Sequence, residues 1–345
     1  MIRRILDFFD YKYSRRVRRL LINEASKAAD CNDYRKLKRL VTSGLESKYP
    51  NVKNVARAKN VILELEHMMQ GVGCKNSRIP LWWADTPYPG NLGDSLNPWL
   101  INGLTGTPPV KASLITPNVM LAIGSTAQKA EDHTSIWGSG FISKDSPVNP
   151  NSNYCAVRGP LSRHMVVKSQ GECPDVYGDP AVFMPLIFPR TKKDSGRIGF
   201  IPHYIHEHLV KDGDCFTLSV KRASMIDFRE FVDDLCECSY VFSSSLHGLI
   251  LARAYGIPAR RVVFSEQALA GDDMKFDDYY LGVGVKNVSD AVDFSQLDNW
   301  DEANLKKYRS FEEPVEFNGS NLLSCFPYSD HLVDGIIDRA KYIFA

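Results

Sequence analysis

Apolar residues recur along this chain in two rhythms, and the change between them falls near residue 76. Before it, Ile5, Phe8, Phe9, Tyr13, Val17, Leu20 and Leu21 return at close to helical spacing, with Arg15, Arg16, Arg18 and Arg19 between them. Few Gly or Pro interrupt the pattern, so residues 1–75 are expected to form a basic, amphipathic helical extension. After it, short apolar runs end in Gly, Ser, Asn or Pro and lead into helical patterns, at residues 81–84, 119–123, 135–137, 154–157 and 176–177. Strand, corner and helix in repetition imply a parallel sheet.

Residues 189–196 are polar and strand-free, with the character of a linker. A second series of apolar runs follows at 197–201, 215–218, 240–242 and 261–264. The expected fold is therefore α/β, with two Rossmann-like domains, 76–190 and 191–298, facing a cleft at their strand ends. Leu305, Tyr308 and Phe311 return to helical spacing, and Leu332, Ile336, Ile337, Ala340 and Ile343 do so again after a Pro, Asn and Gly break. Residues 299–345 are read as C-terminal helices bracing the two halves.

Composition narrows the class. With 345 residues, 44% of them hydrophobic and 24% charged, the chain has room for two globular domains. A net charge of +1 provides no global field to recruit nucleic acid, yet the first forty residues hold twelve Lys and Arg against five Asp and Glu. That local excess suits either packing on the body or an anionic membrane surface, and no nucleic-acid module accompanies it. Eight cysteines without a C-x-x-C pair read as reduced thiols. Charges interrupt the first ten residues where a secretory signal needs an apolar stretch, and no eighteen-residue apolar run occurs. The expected location is cytoplasmic, with peripheral contact at the inner face of the membrane through the basic helix.

The residues best suited to chemistry lie at 240–258. Ser244 and Ser245 end a buried strand and precede a helix whose first turn holds Leu246, His247 and Gly248. Free helix N–H groups, hydroxyls and an imidazole make an anion site, placed at the carboxyl edge of a sheet. An earlier corner carries Asn91, Gly93 and Asp94, where the acid either caps a helix or accepts a proton. Gly138 and Ser139 mark another Gly-rich corner. Arg158, followed by Gly and Pro and then Arg163, sets a guanidinium beside helix N–H groups, which suits phosphate or carboxylate; the alternative is an ion pair with an acid across the interdomain surface. Asp179, in a similar corner, reads as structural. His203, His206 and His208 match no strong zinc spacing, and His203, directly after a strand, is the cleft candidate among them. No P-loop, dinucleotide fingerprint, nucleophile elbow or kinase signature is present.

In order, these corners resemble the polysaccharide pyruvyl transferase family over about residues 80–285: Asn91-Leu-Gly-Asp94 with Pro98, Gly138-Ser-Gly140, Arg158-Gly-Pro160, Gly178-Asp-Pro-Ala181, Pro202-His203, Ser244-Ser-Leu-His-Gly248, Gly256-Ile-Pro258 and Lys275-Phe-Asp-Asp-Tyr-Tyr280. The resemblance implies a GT-B-like pair of domains and phosphoenolpyruvate as co-substrate, with no bound cofactor or metal. It also implies a saccharide or lipid-linked oligosaccharide acceptor that becomes a pyruvate ketal in surface polysaccharide biosynthesis. Arg158 and His247 correspond to the family's donor-holding Arg and His. Some members carry Arg two residues before that His, where this chain has Ser245, so Lys275 or Arg163 is expected to supply the charge. Asp94 is expected to deprotonate or orient an acceptor hydroxyl. A GT-B glycosyltransferase using a nucleotide sugar and a catalytically silent saccharide-binding relative would need the same two halves.

Overall fold

The computed structural model describes residues 2–70, 77–193, 195–210, 215–285, 290–310 and 317–341, with side chains from residue 10 onward. Three helices come first: α1 (Ile2–Asp30), α2 (Tyr34–Leu45) and α3 (Pro50–Met69). Asp33 caps α2 by accepting the Lys36 N–H at 3.0 Å, and Pro50 opens α3 where no intrahelical donor is needed. Leu21, Ala25, Leu37, Val41, Val55 and Ala56 form a small core among the three helices. Further along α3, Val61 and Leu65 join the main core, so the extension packs on the body.

The first half contains β1 (Pro80–Leu81), α4 (Leu92–Thr105), β2 (Val110–Lys111), β3 (Met120–Leu121), β4 (Ser135–Trp137), β5 (Asn153–Ala156), α5 (Pro160–Lys168) and a short α6 (Met184–Ile187). The second contains β6 (Arg197–Ile201), β7 (Phe216–Thr217), α7 (Met225–Cys236), β8 (Cys238–Ser243), α8 (Leu246–Ala254), β9 (Ala259–Val263), α9 (Met274–Gly282) and β10 (Val292–Asp293). The sheets run β2-β1-β3-β4-β5 and β7-β6-β8-β9-β10, and every paired strand is parallel. Both halves thus repeat the order second, first, third, fourth, fifth, the doubly wound arrangement of two Rossmann-like units. Their central strands are buried on both faces, and for that reason they read as continuous apolar runs.

The reversal of strand order falls between β1 and β3 in the first half and between β6 and β8 in the second. A crevice opens at such a switch point, at the carboxyl ends of the strands. Here the two carboxyl edges meet. The Leu92 N–H donates to Val220 O at 2.7 Å, Trp99 Nε1 to Ala223 O at 3.3 Å, and the Lys144 N–H to Asp272 at 3.1 Å. A single large core runs through both halves.

The tail adds α10 (Glu302–Leu305), α11 (Gly319–Ser324) and α12 (Ile336–Ala340). Trp300 and Leu305 pack into the second half's aromatic core, whereas Trp137 Nε1 donates to Leu322 O at 2.8 Å and the Val333 N–H to Leu104 O at 2.9 Å in the first. The helix expected from Leu332 to Ile343 is shorter than its apolar spacing implies. Leu332 follows a tight turn at Ser329–His331, and Gly335 adopts a left-handed φ of 71° before α12 begins. Phe311 and Ile343 lie outside the described residues.

Candidate functional site

Asp94 is set in the first turn of α4, at the first half's switch point. Asn91 Nδ2 donates to Asp94 Oδ2 at 3.0 Å. Asn97, one turn later, donates to Asp94 O and Ile123 O at 3.1 Å each and accepts the Ile123 N–H at 2.9 Å, which ties α4 to the end of β3. Burial raises the Asp94 carboxyl above its ordinary range, opposed by the Asn91 hydrogen bond and by the nearby His247 and Lys111, with Asp179 adding to the rise.

His247 comes from the second half's switch point, in the first turn of α8. Its ring lies flat on Gly93: a Cβ at position 93 would fall inside the imidazole, at Nδ1 and Cε1. Glycine is therefore required there for the two lobes to close on each other. On the other side, His247 Nε2 stands 3.5 Å from Asp179 Oδ2, with Asp179 fully buried. Asp179 from the first half thus faces the imidazole directly, and Asp94 stands within its electrostatic reach. Gly138, at φ +84°, lets its corner lie directly against Pro180 and so carries the Asp179 loop inward.

The serines before α8 divide by role. Ser243 accepts the Ser245 N–H at 3.0 Å and closes the corner. Ser244 Oγ accepts the His203 N–H at 2.9 Å and donates to His206 Nδ1 at 2.9 Å, while His206 Nε2–H donates to Gln267 O at 2.8 Å. His206 is thus fully committed inside the corner. Ser245 is the residue before α8 and makes no capping bond with its side chain, so the first N–H groups of that helix have no side-chain cap. Leu246 anchors the turn in the main core, and the absence of a side chain at Gly248 lets the helix approach Ile201 and Ser243.

His203 stacks on Tyr204 at 4.2 Å, and its Nδ1 accepts the Ile205 N–H at 3.5 Å. Burial and the neighbouring Lys275, His206 and His247 push it down to about 3, so it stays neutral at physiological pH. Lys275 opens α9, is 8% exposed, and has no ion pair or hydrogen bond among the described residues. Burial, helped by Arg158 and Arg261 and opposed by Asp273, lowers it to about 8. A buried cation without an acid partner, beside a helix N-terminus, is suited to an anion.

Arg158 departs from the open clamp suggested by its sequence context. It is fully buried, with Nη1 donating to Ser125 Oγ at 2.7 Å, Nη2 donating to Phe141 O at 2.7 Å, and Nη2 standing 3.2 Å from Asp278. Ser139 is likewise spent on its surroundings, donating to Gly124 O at 2.9 Å. Arg163 is not brought to the site; its Nε donates to Cys173 O at 3.1 Å. The sequence reading gave Asp179 a structural role only and passed over Asp278 and Lys111. The Gly-Asp-Pro corner was the available signal for Asp179. Lys111 sits 3.9 Å from the Trp83 ring centre, donates to Trp83 O at 2.7 Å, and is lowered by burial to about 7 within electrostatic reach of Asp85 and Asp94. Among the described residues no group of three or more His, Cys, Asp or Glu is placed to hold a metal ion.

Fold and site together define a doubly wound α/β protein with paired switch points, where the His247 imidazole stands within electrostatic reach of Asp94 and Asp179. Residues 116–264 match the polysaccharide pyruvyl transferase family, so the chain carries a domain of that family. The match includes Arg158, Asp179, His203 and His247, and it stops short of Asp94 and Lys275, which the fold brings within electrostatic reach of His247 and of His203 respectively. The chain is also 24% identical, over 212 residues, to an uncharacterized protein of Acanthamoeba polyphaga mimivirus, covering 57% of this chain and 72% of that one. No solved structure matches significantly.

Proposed function

We propose that this protein transfers pyruvate from phosphoenolpyruvate to a saccharide, forming a ketal and releasing phosphate. The observation that supports this reading is that His247 packs on Gly93 from the facing switch point, within electrostatic reach of Asp94, while the unpaired Lys275 and His247 both act on His203. In the reaction C2 of the donor gains bonds to two acceptor oxygens and loses its bond to the phosphate oxygen. Of the two hydroxyl protons released, one ends on C3, which becomes a methyl group, and the other leaves with phosphate.

Lys275, the α8 N-terminus and Ser245 would hold the donor's phosphate or carboxylate. His247 exchanges a proton with substrate, and Asp94, made more basic by burial, takes one from an acceptor hydroxyl. Arg158 fixes the Ser125 and Phe141 corners from beneath and holds the floor of the site rather than the donor itself. Phosphoenolpyruvate should raise the unfolding midpoint and nucleotide sugars should not, since only a ligand of the native state stabilises it. His247→Gln should abolish ketal formation with the fold intact; near-normal turnover in that variant would exclude the mechanism.

The location reading rests on α1. Lys12, Arg15, Arg16 and Arg19 are exposed along its outer face, together with Tyr13 and Leu20, while Leu21, Ala25 and Ala28 pack inward. This face supports docking on an anionic membrane surface, where a lipid-linked acceptor would be presented. No described helix is long and apolar enough to cross a membrane.

A further inference from the structure

His247 Nε2 and Asp179 Oδ2 face each other at 3.5 Å, and both atoms are sealed from solvent without a hydrogen-bond partner. Buried orphans are rare in folded proteins. Two that face one another at this distance describe a hydrogen bond at its long limit, the kind of contact that tightens in a catalytic complex. The other carboxylate oxygen of Asp179 is committed: Oδ1 accepts the Ala181 N–H at 3.0 Å and caps the turn at Pro180–Phe183. Oδ2 takes no part in that turn.

Gly93 lies against the ring at Nδ1, Cε1 and Cγ, and Nδ1 differs from Nε2 in one respect. It has no hydrogen-bond partner among the described residues, yet it is not sealed from solvent. Besides Asp179, the titratable groups within electrostatic reach of the ring are Asp94 from α4 and His203 from the corner after β6, with Lys275 of α9 beyond His203.

We propose that Asp179 is a positioning residue for His247: its Oδ2 accepts the Nε2 proton, holding the imidazole in one tautomer and leaving Nδ1 to exchange a proton with substrate. The catalytic consequence rests on the pyruvyl-transfer reading, whereas the tautomer does not. An acid that accepts one ring N–H orients a histidine and fixes its tautomer.

The test uses the full chain with 15N-labelled histidine, recorded where the His247 ring is neutral, together with Asp179→Asn. That variant keeps an oxygen for the Ala181 cap and presents an amide N–H in place of Oδ2. The expected result is an Nε2–H tautomer in the unsubstituted protein and an Nδ1–H tautomer in the variant. kcat should fall on the order of 10²–10⁴-fold, with KM for phosphoenolpyruvate within about threefold and the unfolding midpoint little changed. A purely structural Asp179 predicts normal turnover and an unmoved tautomer in Asp179→Asn, and that result overturns the proposal. Should the variant not fold, the tautomer of the unsubstituted protein decides, and Nδ1–H there is fatal. An inactive protein with the Nε2–H tautomer would count against pyruvyl transfer while leaving this inference standing.

Discussion

Arg158 Nη2 and Asp278 Oδ2 stand 3.2 Å apart, both side chains sealed from water, and they come from opposite halves of the molecule. Asp278 also accepts the Ser162 N–H at 2.9 Å and its hydroxyl at 2.6 Å, in the first turn of α5. The carboxylate therefore occupies the place beside Arg158 and the α5 N-terminus that the sequence suggests for an external anion. A buried ion pair holds together only when its remaining donors and acceptors are also satisfied, and here Arg158 Nε alone is left over.

Breaking that pair from one side should be costly. Asp278→Asn leaves the Arg158 charge buried without compensation, and a loss of about 3–5 kcal/mol is expected in denaturant unfolding. Replacing both partners together, Arg158→Met with Asp278→Leu, should recover most of the loss because no buried charge remains. A single variant within about 0.5 kcal/mol of the unsubstituted protein would show that the pair does not join the halves.

Lys275 makes a prediction with a sign. Its folded-state value, about 8, lies below the ordinary 10.5, because burial and two guanidinium groups disfavour the charged form. Between those values the unfolded chain binds the extra proton, so this group's contribution to stability rises with pH from about 8 to about 10.5. Below about 8 the full penalty of a buried, unpaired charge remains, and an anionic ligand relieves it. Phosphoenolpyruvate affinity should therefore fall above pH 8, approaching about tenfold per unit. Lys275→Met should lose donor binding without losing stability at neutral pH. Titration calorimetry showing flat affinity from about pH 7 to about pH 10 would remove Lys275 from the donor site.

The central strands were legible because both faces are covered, so the runs at 119–123, 135–137 and 240–242 are apolar without alternation. The edge strands β2 and β10 were not: Val110–Lys111 and Val292–Asp293 are two residues long and have no run to betray them. Asp94 and His247 stood out because each follows a strand at a corner, a local signal. What Arg158 does there is non-local, since its partner lies 120 residues further on, and local spacing carries no information about such pairings. Arg163 failed for a geometric reason. It sits within α5 with its side chain on Cys173, whereas Arg158, five residues earlier, precedes the helix and is fully buried.

The outer face of α1 leads to the last prediction. Lys12, Arg15, Arg16 and Arg19 project from the side opposite Leu21, Ala25 and Ala28, and Tyr13 and Leu20 are 59% and 55% exposed on that same side. Each basic residue near an anionic surface contributes about 1 kcal/mol, a sum large enough to hold the protein there at low salt and to release it as salt rises. Reversing three charges, Arg15→Glu, Arg16→Glu and Arg19→Glu, should weaken co-sedimentation with phosphatidylserine vesicles on the order of 10²-fold. The unfolding midpoint should not move, because these side chains are exposed and the inward face is untouched. Equal vesicle binding by the reversed and unsubstituted chains would leave α1 as a packing element and remove the argument for a membrane-presented acceptor.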